Sequence, residues 1–187
     1  MPTEKEREVL ALLKGGYQLD ETKRSAIINE LDAEGRAALR RIATGELAVE
    51  HPKLRGKAVI ALGFDESDKG ESLKTLHQLL AEPEAALQIR ALRALGRLAP
   101  ADRTVKTATR ALLTNPATRP DVALAAARVA VVGGGKRIVA DLAGLRERLL
   151  QLVGDERSPS IQSLDRLIAQ ARGEITPVAG EEPKLDI

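Results

Sequence analysis

Cysteine is absent from the 187 residues, and aromatic residues are almost absent, with one Phe, one Tyr and no Trp. Without thiols the chain has no disulfide and no Cys-ligated metal. A compact globule normally fills its centre with aromatic side chains, so this composition favours a thin stack of helices closed by Leu, Ile, Val and Ala. Hydrophobic residues still make up 43% of the chain, which excludes a wholly disordered protein.

Long apolar runs are absent as well. No run approaches the roughly 18 residues that a membrane-spanning helix needs. The N-terminal sequence MPTEKEREVL is charged and has no signal-peptide core. We therefore expect a cytoplasmic protein without a membrane partner.

Charge is present in both signs but is unevenly distributed around the formal net charge of +2. Residues 1–50 carry 8 basic and 10 acidic groups, residues 51–150 carry 17 and 10, and residues 151–187 carry 4 and 7. A basic middle between mildly acidic ends predicts an acidic or otherwise anionic partner for the centre of the chain.

A short phrase recurs along the chain with a period of 33 residues. Residues 54–63 read LRGKAVIALG and residues 87–96 read LQIRALRALG. A looser copy begins at Val122 and a degenerate one at Ile161. Self-similarity at such a period is typical of stacked repeats, which offer a binding surface rather than an enclosed pocket. A proline precedes each copy, at Pro52, Pro83, Pro120 and Pro159.

The apolar spacing of three and four residues predicts ten helices in five antiparallel pairs. The predicted helices cover about 3–14, 20–31, 34–44, 52–62, 71–80, 83–98, 102–113, 120–132, 136–153 and 159–172. We expect residues 1–173 to form one domain. Residues 174–187 contain prolines and charges without periodicity, which predicts a flexible tail.

The two phrases resemble the HEAT-like repeat, specifically the short bacterial type of the phycobilin lyases, which has the form V-R-x-x-A-A-x-A-L-G. The resemblance is strongest over residues 51–132. Gln88 and Ala123 depart from it, since they stand where the pattern has arginine. The resemblance implies an all-α fold, a right-handed α-α superhelix, in which the phrase forms the second helix of each pair and lines a concave groove.

The resemblance also implies which side chains point into that groove. Helical geometry agrees, because Arg90, Arg93 and Arg97 are spaced i, i+3, i+7 and share one stripe. Guanidinium groups suit bidentate contacts with carboxylates or phosphates, although most charged helix faces are simply solvated. The predicted partner-binding residues are Lys57, Ile60, Phe64, Ile89, Arg90, Arg93, Arg97, Leu124 and Arg128.

Two other charged patterns favour structural interpretations. Arg103, Lys106 and Arg110 form a second stripe on the first helix of a pair, which faces the convex side, so we interpret it as a solvated face. The glycines at 133–135 precede Lys136, but Arg137 stands where a phosphate-binding loop has Ser or Thr. We interpret this stretch as a helix stop.

Metal sites find no support in the sequence. In the segment 65–70, DESDKG, Lys69 occupies a position where a calcium loop needs an oxygen ligand, so the segment is predicted to be a polar turn. His51 and His77 are the only histidines and belong to different repeats, which argues against a zinc site.

No catalytic constellation emerges, and we expect no cofactor, no metal and no enzymatic activity. The predicted function is a scaffold or adaptor that binds an acidic protein partner in the concave groove. One alternative is a nucleic-acid-binding protein that uses the same basic surface. Another is an accessory to a lyase-like enzyme. The oligomeric state stays open.

Overall fold

The computed structural model describes residues 2–15 and 20–176, and these form ten α-helices and no strand. The helices are α1 Glu4–Gly15, α2 Glu21–Glu30, α3 Ala33–Thr44, α4 Pro52–Leu62, α5 Lys69–Leu79, α6 Ala85–Leu98, α7 Arg103–Thr114, α8 Pro120–Gly134, α9 Val139–Val153 and α10 Pro159–Arg172. A 3₁₀ turn, Gly135–Ile138, joins α8 to α9. The prediction of an all-α fold is confirmed. In the described part of the chain, no helix combines the length and the apolar character that crossing a membrane requires.

Local sequence signals explain where many helices begin and end. Pro52 and Pro159 occupy the first turn of α4 and α10, where a missing N–H is not needed. Gly45, Gly154 and Gly173 end α3, α9 and α10 with positive φ, a conformation that glycine adopts without strain. N-cap side chains accept a hydrogen bond from a backbone N–H of the first helical turn at the start of α1, α2, α3, α7 and α10, namely Thr3, Asp20, Asp32, Asp102 and Ser158.

Consecutive helices pack in pairs from α3 onwards. The pairs are α3 with α4, α5 with α6, α7 with α8, and α9 with α10. Their second members also contact each other in series, α4 to α6 to α8 to α10, and we call these four the second-helix row. Among the first members, α3 contacts α5 and α7 contacts α9. The right-handed superhelix stays a prediction.

The two N-terminal helices depart from the predicted pairing. Helix α1 packs against α3 and α4, and α2 packs against α4. Only one residue of α2, Ile28, is fully buried, so α2 depends on polar contacts. Its Asn29 amide donates to the carbonyl of Phe64 at 2.9 Å and accepts from the N–H of Glu66 at 3.0 Å. These bonds hold α2 beside the end of α4.

The hydrophobic core consists of two clusters that meet at α8. One extends from α1 to α8 and the other from the end of α7 to α10. Helix α8 supplies Val122 and Ala126 to the first, and Ala123 and Ala127 to the second. Because α8 is buried on two sides, it joins the earlier repeats to the later ones.

Glycines allow the second-helix row to pack closely. A Cβ atom placed on Gly63 would lie 2.8 Å from the Cα atom of Ala94. One placed on Gly96 would lie 3.0 Å from both methyl groups of Val129. Gly63 and Gly96, which close the first two phrases, therefore allow α4, α6 and α8 to pack closely. Close packing brings the exposed side chains of these helices next to each other.

Four predicted helix boundaries differ from the structure by two residues or more. Helix α5 begins at Lys69 rather than at 71. Helix α6 begins at Ala85 rather than at Pro83, because Glu84 is extended and forms the N-cap. Helix α8 continues to Gly134, two residues beyond the predicted end, and α9 begins at Val139 rather than at 136. A Cβ atom on Gly133 would lie 2.1 Å from the carbonyl oxygen of Pro100. The glycines thus permit a close contact, and α8 ends among them, at Gly134, as the interpretation of this stretch as a helix stop expects. Of the predicted tail, residues 177–187 lie outside the described residues.

Candidate functional site

The predicted arginine stripe lies on α6, between α4 and α8. Arg90 is half-buried and its guanidinium lies over the backbone of α4, where a Cβ atom on Gly56 would be 2.6 Å from Nη1 of Arg90. Arg93 is exposed. Gly56 therefore makes room for the Arg90 side chain and determines how the stripe lies against α4.

Arg93 faces a second arginine across the row. Burial lowers the pKa of Arg128, on α8, below its ordinary value, and the nearby positive charge of Arg93 lowers this pKa further. Nη2 of Arg128 donates to the Ser163 hydroxyl of α10 at 3.3 Å. Within residues 2–15 and 20–176, no carboxylate lies within 4.0 Å of the guanidinium nitrogens of Arg90, Arg93 or Arg128. We call these three residues the arginine patch, which carries local positive charge that an anion would neutralise.

Two other predicted cations contact the N-terminal helices. Nζ of Lys57 donates to the carbonyl of Leu13, in the last turn of α1, at 2.9 Å. Arg97 forms an ion pair with Glu21 at the start of α2. These contacts connect the basic row to the acidic N-terminal part of the chain.

Three of the predicted apolar residues are buried rather than open to a partner. Phe64 is 6% exposed, and the guanidinium carbons of Arg97 and Arg24 lie 4.4 and 5.5 Å from its ring centroid, within cation–π range. Ile89 and Leu124 lie in the core, at 6% and 8% exposure. Ile60 is half-buried beside Arg93 and Arg90.

A cavity of about 310 Å³ lies where α1 and α2 meet the second-helix row. Lys57, Ile60, Arg90, Arg93 and Arg97 are the predicted residues that line it. The sequence analysis missed the contributors from α1 and α2, because they lie outside the repeated phrase. The available signal was the charge difference between residues 1–50 and 51–150. The missed lining residues are Leu12, Leu13, Glu21, Arg24 and Ile28.

A wider depression of about 740 Å³ lies between α1 and α3. Both cations of its lining, Lys5 and Arg41, already have acidic partners. Lys5 contacts Glu8 and Asp32, and their hydrogen bonds raise the pKa of Lys5 above its ordinary value. Arg41 forms an ion pair with the buried Glu6. These pairs attach α1 to α3 and engage both cations of the depression within the protein.

In the described residues, no three His, Asp or Glu side chains are placed to hold a metal ion. The polar turn at 65–68 contains a fully buried carboxylate, Asp65, which accepts from the Ser72 hydroxyl at 2.6 Å. The sequence predicted a polar turn here but not the burial of one of its carboxylates.

Comparison with known proteins gives no relative, since no family model, no curated protein and no solved structure matches the chain. The HEAT-like interpretation therefore depends on the repeated phrase and on the way the helices pack.

Proposed function

We propose that this protein is a non-catalytic HEAT-like scaffold or adaptor, which binds an acidic segment of a partner protein across α6 and α8. One observation carries the proposal. Arg90, Arg93 and Arg128 lie on adjacent helices, and no carboxylate of the described chain pairs with them. Planar guanidinium groups at such a site suit carboxylates presented by another molecule.

Arginines elsewhere on the repeats support this interpretation by contrast. Arg55 pairs with Glu82, Arg110 with Asp141, and Arg146 with Asp165. The last two pairs link neighbouring helices, and the first links α4 to the turn before α6. The chain thus supplies acids where arginines serve the fold. A merely solvated face would also leave its cations more exposed than Arg90 and Arg128, which are half-buried.

Apolar contacts beside the arginine patch define the partner further. Val132, at the end of α8, is 72% exposed, and Ile60 is half-buried. An acidic segment that also carries aliphatic side chains would cover both and keep its carboxylates near the patch.

The nucleic-acid alternative receives less support. Non-specific binding of single strands uses aromatic side chains on which bases stack. Phe64 is the one phenylalanine of the sequence, and in the folded chain it is 6% exposed with Arg24 and Arg97 over its ring.

A peptide-binding measurement tests the proposal. The probe is a fluorescent peptide rich in Glu and Leu, and binding is followed by fluorescence anisotropy. We expect Arg93→Glu combined with Arg128→Glu to weaken binding at least about tenfold, since two attractive charges become repulsive. The matched control combines Arg103→Glu with Lys106→Glu on α7, where both side chains are exposed. It makes the same charge change and should leave binding nearly unaltered.

Equal losses in the two double variants would contradict a specific patch and indicate an effect of net charge alone. A labelled oligonucleotide of similar length separates the alternative function. Tighter binding of the oligonucleotide than of the peptide, falling steeply with salt, would favour nucleic acid as the partner.

A further inference from the structure

The cavity between the N-terminal helices and the second-helix row combines an apolar base with cationic side chains. Ile28, Ala61 and Ala94 are at most 3% exposed, and Leu13 is 4% exposed. They line the cavity with Leu12 and Ile60. These side chains come from α1, α2, α4 and α6, so the base exists only because the N-terminal helices fold onto the repeats.

Positive charge dominates the remaining lining. Arg24, Lys57, Arg90, Arg93 and Arg97 border the cavity, against the single carboxylate of Glu21. Lys57 and Arg97 contact α1 and α2, as described above. Among the residues that the structure describes, Arg90 and Arg93 have no acidic partner. An apolar base beside unbalanced guanidinium groups fits a ligand with an aliphatic part and an anionic end.

Helix α2 itself places a carboxylate against this lining. Glu21 brings its carboxylate to Arg97, and Ile28, seven residues later and hence on nearly the same side of α2, is buried at the cavity. Carboxylate and aliphatic group thus already occur together at one edge. The volume of about 310 Å³ lies near the lower end for ligand sites, about 300–1,000 Å³, so a free ligand there is small.

We infer that this cavity binds a short aliphatic carboxylate, with its chain over the half-buried Leu12 and Ile60 and its carboxylate at Arg90 and Arg93. This inference concerns a small molecule and does not depend on the proposed protein partner. The two sites share Arg90 and Arg93, but Arg128 and Val132 do not line the cavity.

Isothermal titration calorimetry with octanoate tests the inference. We expect saturable 1:1 binding with a Kd of about 1 mM or below, reasonable for a ligand of roughly ten heavy atoms. Acetate has the carboxylate without the chain, and octylammonium has the chain with the opposite charge. Both should bind at least about tenfold more weakly. Absence of saturable octanoate binding at about 10 mM, or equal binding of octylammonium, would overturn the inference.

Variants locate the bound molecule. Arg90→Gln combined with Arg93→Gln should weaken octanoate binding at least about tenfold, and Ile60→Phe should weaken it by filling the cavity. Arg103→Gln combined with Lys106→Gln, on α7, should leave it unaltered. Unchanged helical circular dichroism establishes that each variant is folded. Octanoate affinity that is the same in all variants would place the ligand elsewhere and refute the assignment.

Two comparisons separate this site from the partner surface. Arg128→Glu should weaken the acidic peptide and leave octanoate bound, whereas Ile60→Phe should exclude octanoate more strongly than the peptide. Loss of octanoate binding in Arg128→Glu would contradict the cavity as its site. Failure of the peptide to bind at all would refute the proposed function and leave the octanoate result intact.

Discussion

The earlier helix pairs, residues 33–98, and the later ones, residues 103–172, differ in which helix supplies the side chain that donates to the free carbonyls at the end of a helix. At the end of α3, Arg55 of the following helix donates from Nε to Ala43 at 2.9 Å and from Nη2 to Thr44 at 3.0 Å. At the end of α7 the donor is Arg148, whose Nη2 lies 3.0 Å from the carbonyl of Leu113 and which belongs to α9 of the next pair.

The sequence departures explain this difference. Gln88 occupies the arginine position of the second phrase, and its amide still donates to the carbonyl of Leu80 at the end of α5, at 2.9 Å. In the third phrase the position is Ala123, which is fully buried and cannot donate. The arginine of the phrase thus serves to cap the preceding helix. The arginine patch, by contrast, occupies positions that the phrase leaves variable, which is where a function would be expected.

The turn between α4 and α5, in the earlier helix pairs, gives the largest expected effect on stability, because it contains a buried carboxylate. Asp65 is 0% exposed, accepts hydrogen bonds from Ser72 and from the N–H of Asp68, and lies 3.9 Å from Arg40. Asp65→Ala should lower the free energy of unfolding by about 3 kcal/mol, because the Ser72 hydroxyl and the Asp68 N–H lose their acceptor and Arg40, which keeps its hydrogen bond to Asp68, loses a nearby negative charge. Urea unfolding followed by circular dichroism measures it.

The turn between α9 and α10, in the later helix pairs, supplies a control for the Asp65 variant. Asp155 also accepts from a turn N–H, that of Arg157 at 2.9 Å, but it is exposed. Asp155→Ala should cost less than about 1 kcal/mol. Similar losses at both positions would show that burial does not distinguish the two turns.

The arginines that cap the ends of α3 and α7 give the next largest expected effect on stability. Arg55 donates to two carbonyls and contacts Glu82 at 2.7 Å, and its side chain is 24% exposed. Arg55→Met keeps most of the aliphatic stem and should cost about 1.5–3 kcal/mol, the range for hydrogen bonds of charged groups. Arg148→Met should cost less, since its second bond, from Nη1 to the carbonyl of Thr114, is long at 3.4 Å. Chemical denaturation of both variants compares them. A larger loss for Arg148→Met would reverse the assignment.

How far the sequence could predict this structure depends on the kind of interaction involved. The 3.6-residue periodicity and Pro52 located α4 correctly, because both act within one helix. The position of α2 could not be derived, since it depends on Asn29 binding a turn that lies 35 or more residues away. For the same reason, the spacing of Arg90, Arg93 and Arg97 predicted a shared stripe but not that Glu21 pairs with Arg97. The burial of Ile89 and Leu124 was missed because α6 and α8 each pack against neighbours on more than one side.

The two glycines that close the first and second phrases, Gly63 and Gly96, pack against different kinds of atoms. A Cβ atom on Gly63 would meet the backbone of Ala94, which cannot move without moving α6, whereas one on Gly96 would meet the methyl groups of Val129. Gly63→Ala should therefore cost about 1–3 kcal/mol from overpacking. Gly96→Ala should cost less than about 1 kcal/mol, since alanine is the better helix former inside α6. Thermal unfolding of both variants tests this order, and equal melting temperatures would refute it.

The smallest expected effect concerns the contact between α5 and α7. His77 Nε2 lies 3.0 Å from the Thr104 hydroxyl, which donates to Asp102. Burial lowers the pKa of His77 below its ordinary value of 6.5, and Asp102 opposes part of that shift. The unfolded chain therefore takes up this proton at a higher pH than the folded protein. The contribution of His77 to the free energy of unfolding should be fully present above the unfolded pKa. It should decrease as the pH drops through 6.5, until the lower folded pKa is reached.

Urea unfolding at pH 8, 7, 6 and 5 measures this dependence. His77→Gln removes the titrating group and should flatten the decline between about pH 7 and the folded pKa. His51→Gln is the matched control, since His51 is exposed at the start of α4. It should leave the decline in place. If His77→Gln retains the full decline in stability, other groups cause that decline. The contact between α5 and α7 then does not respond to protonation of this histidine.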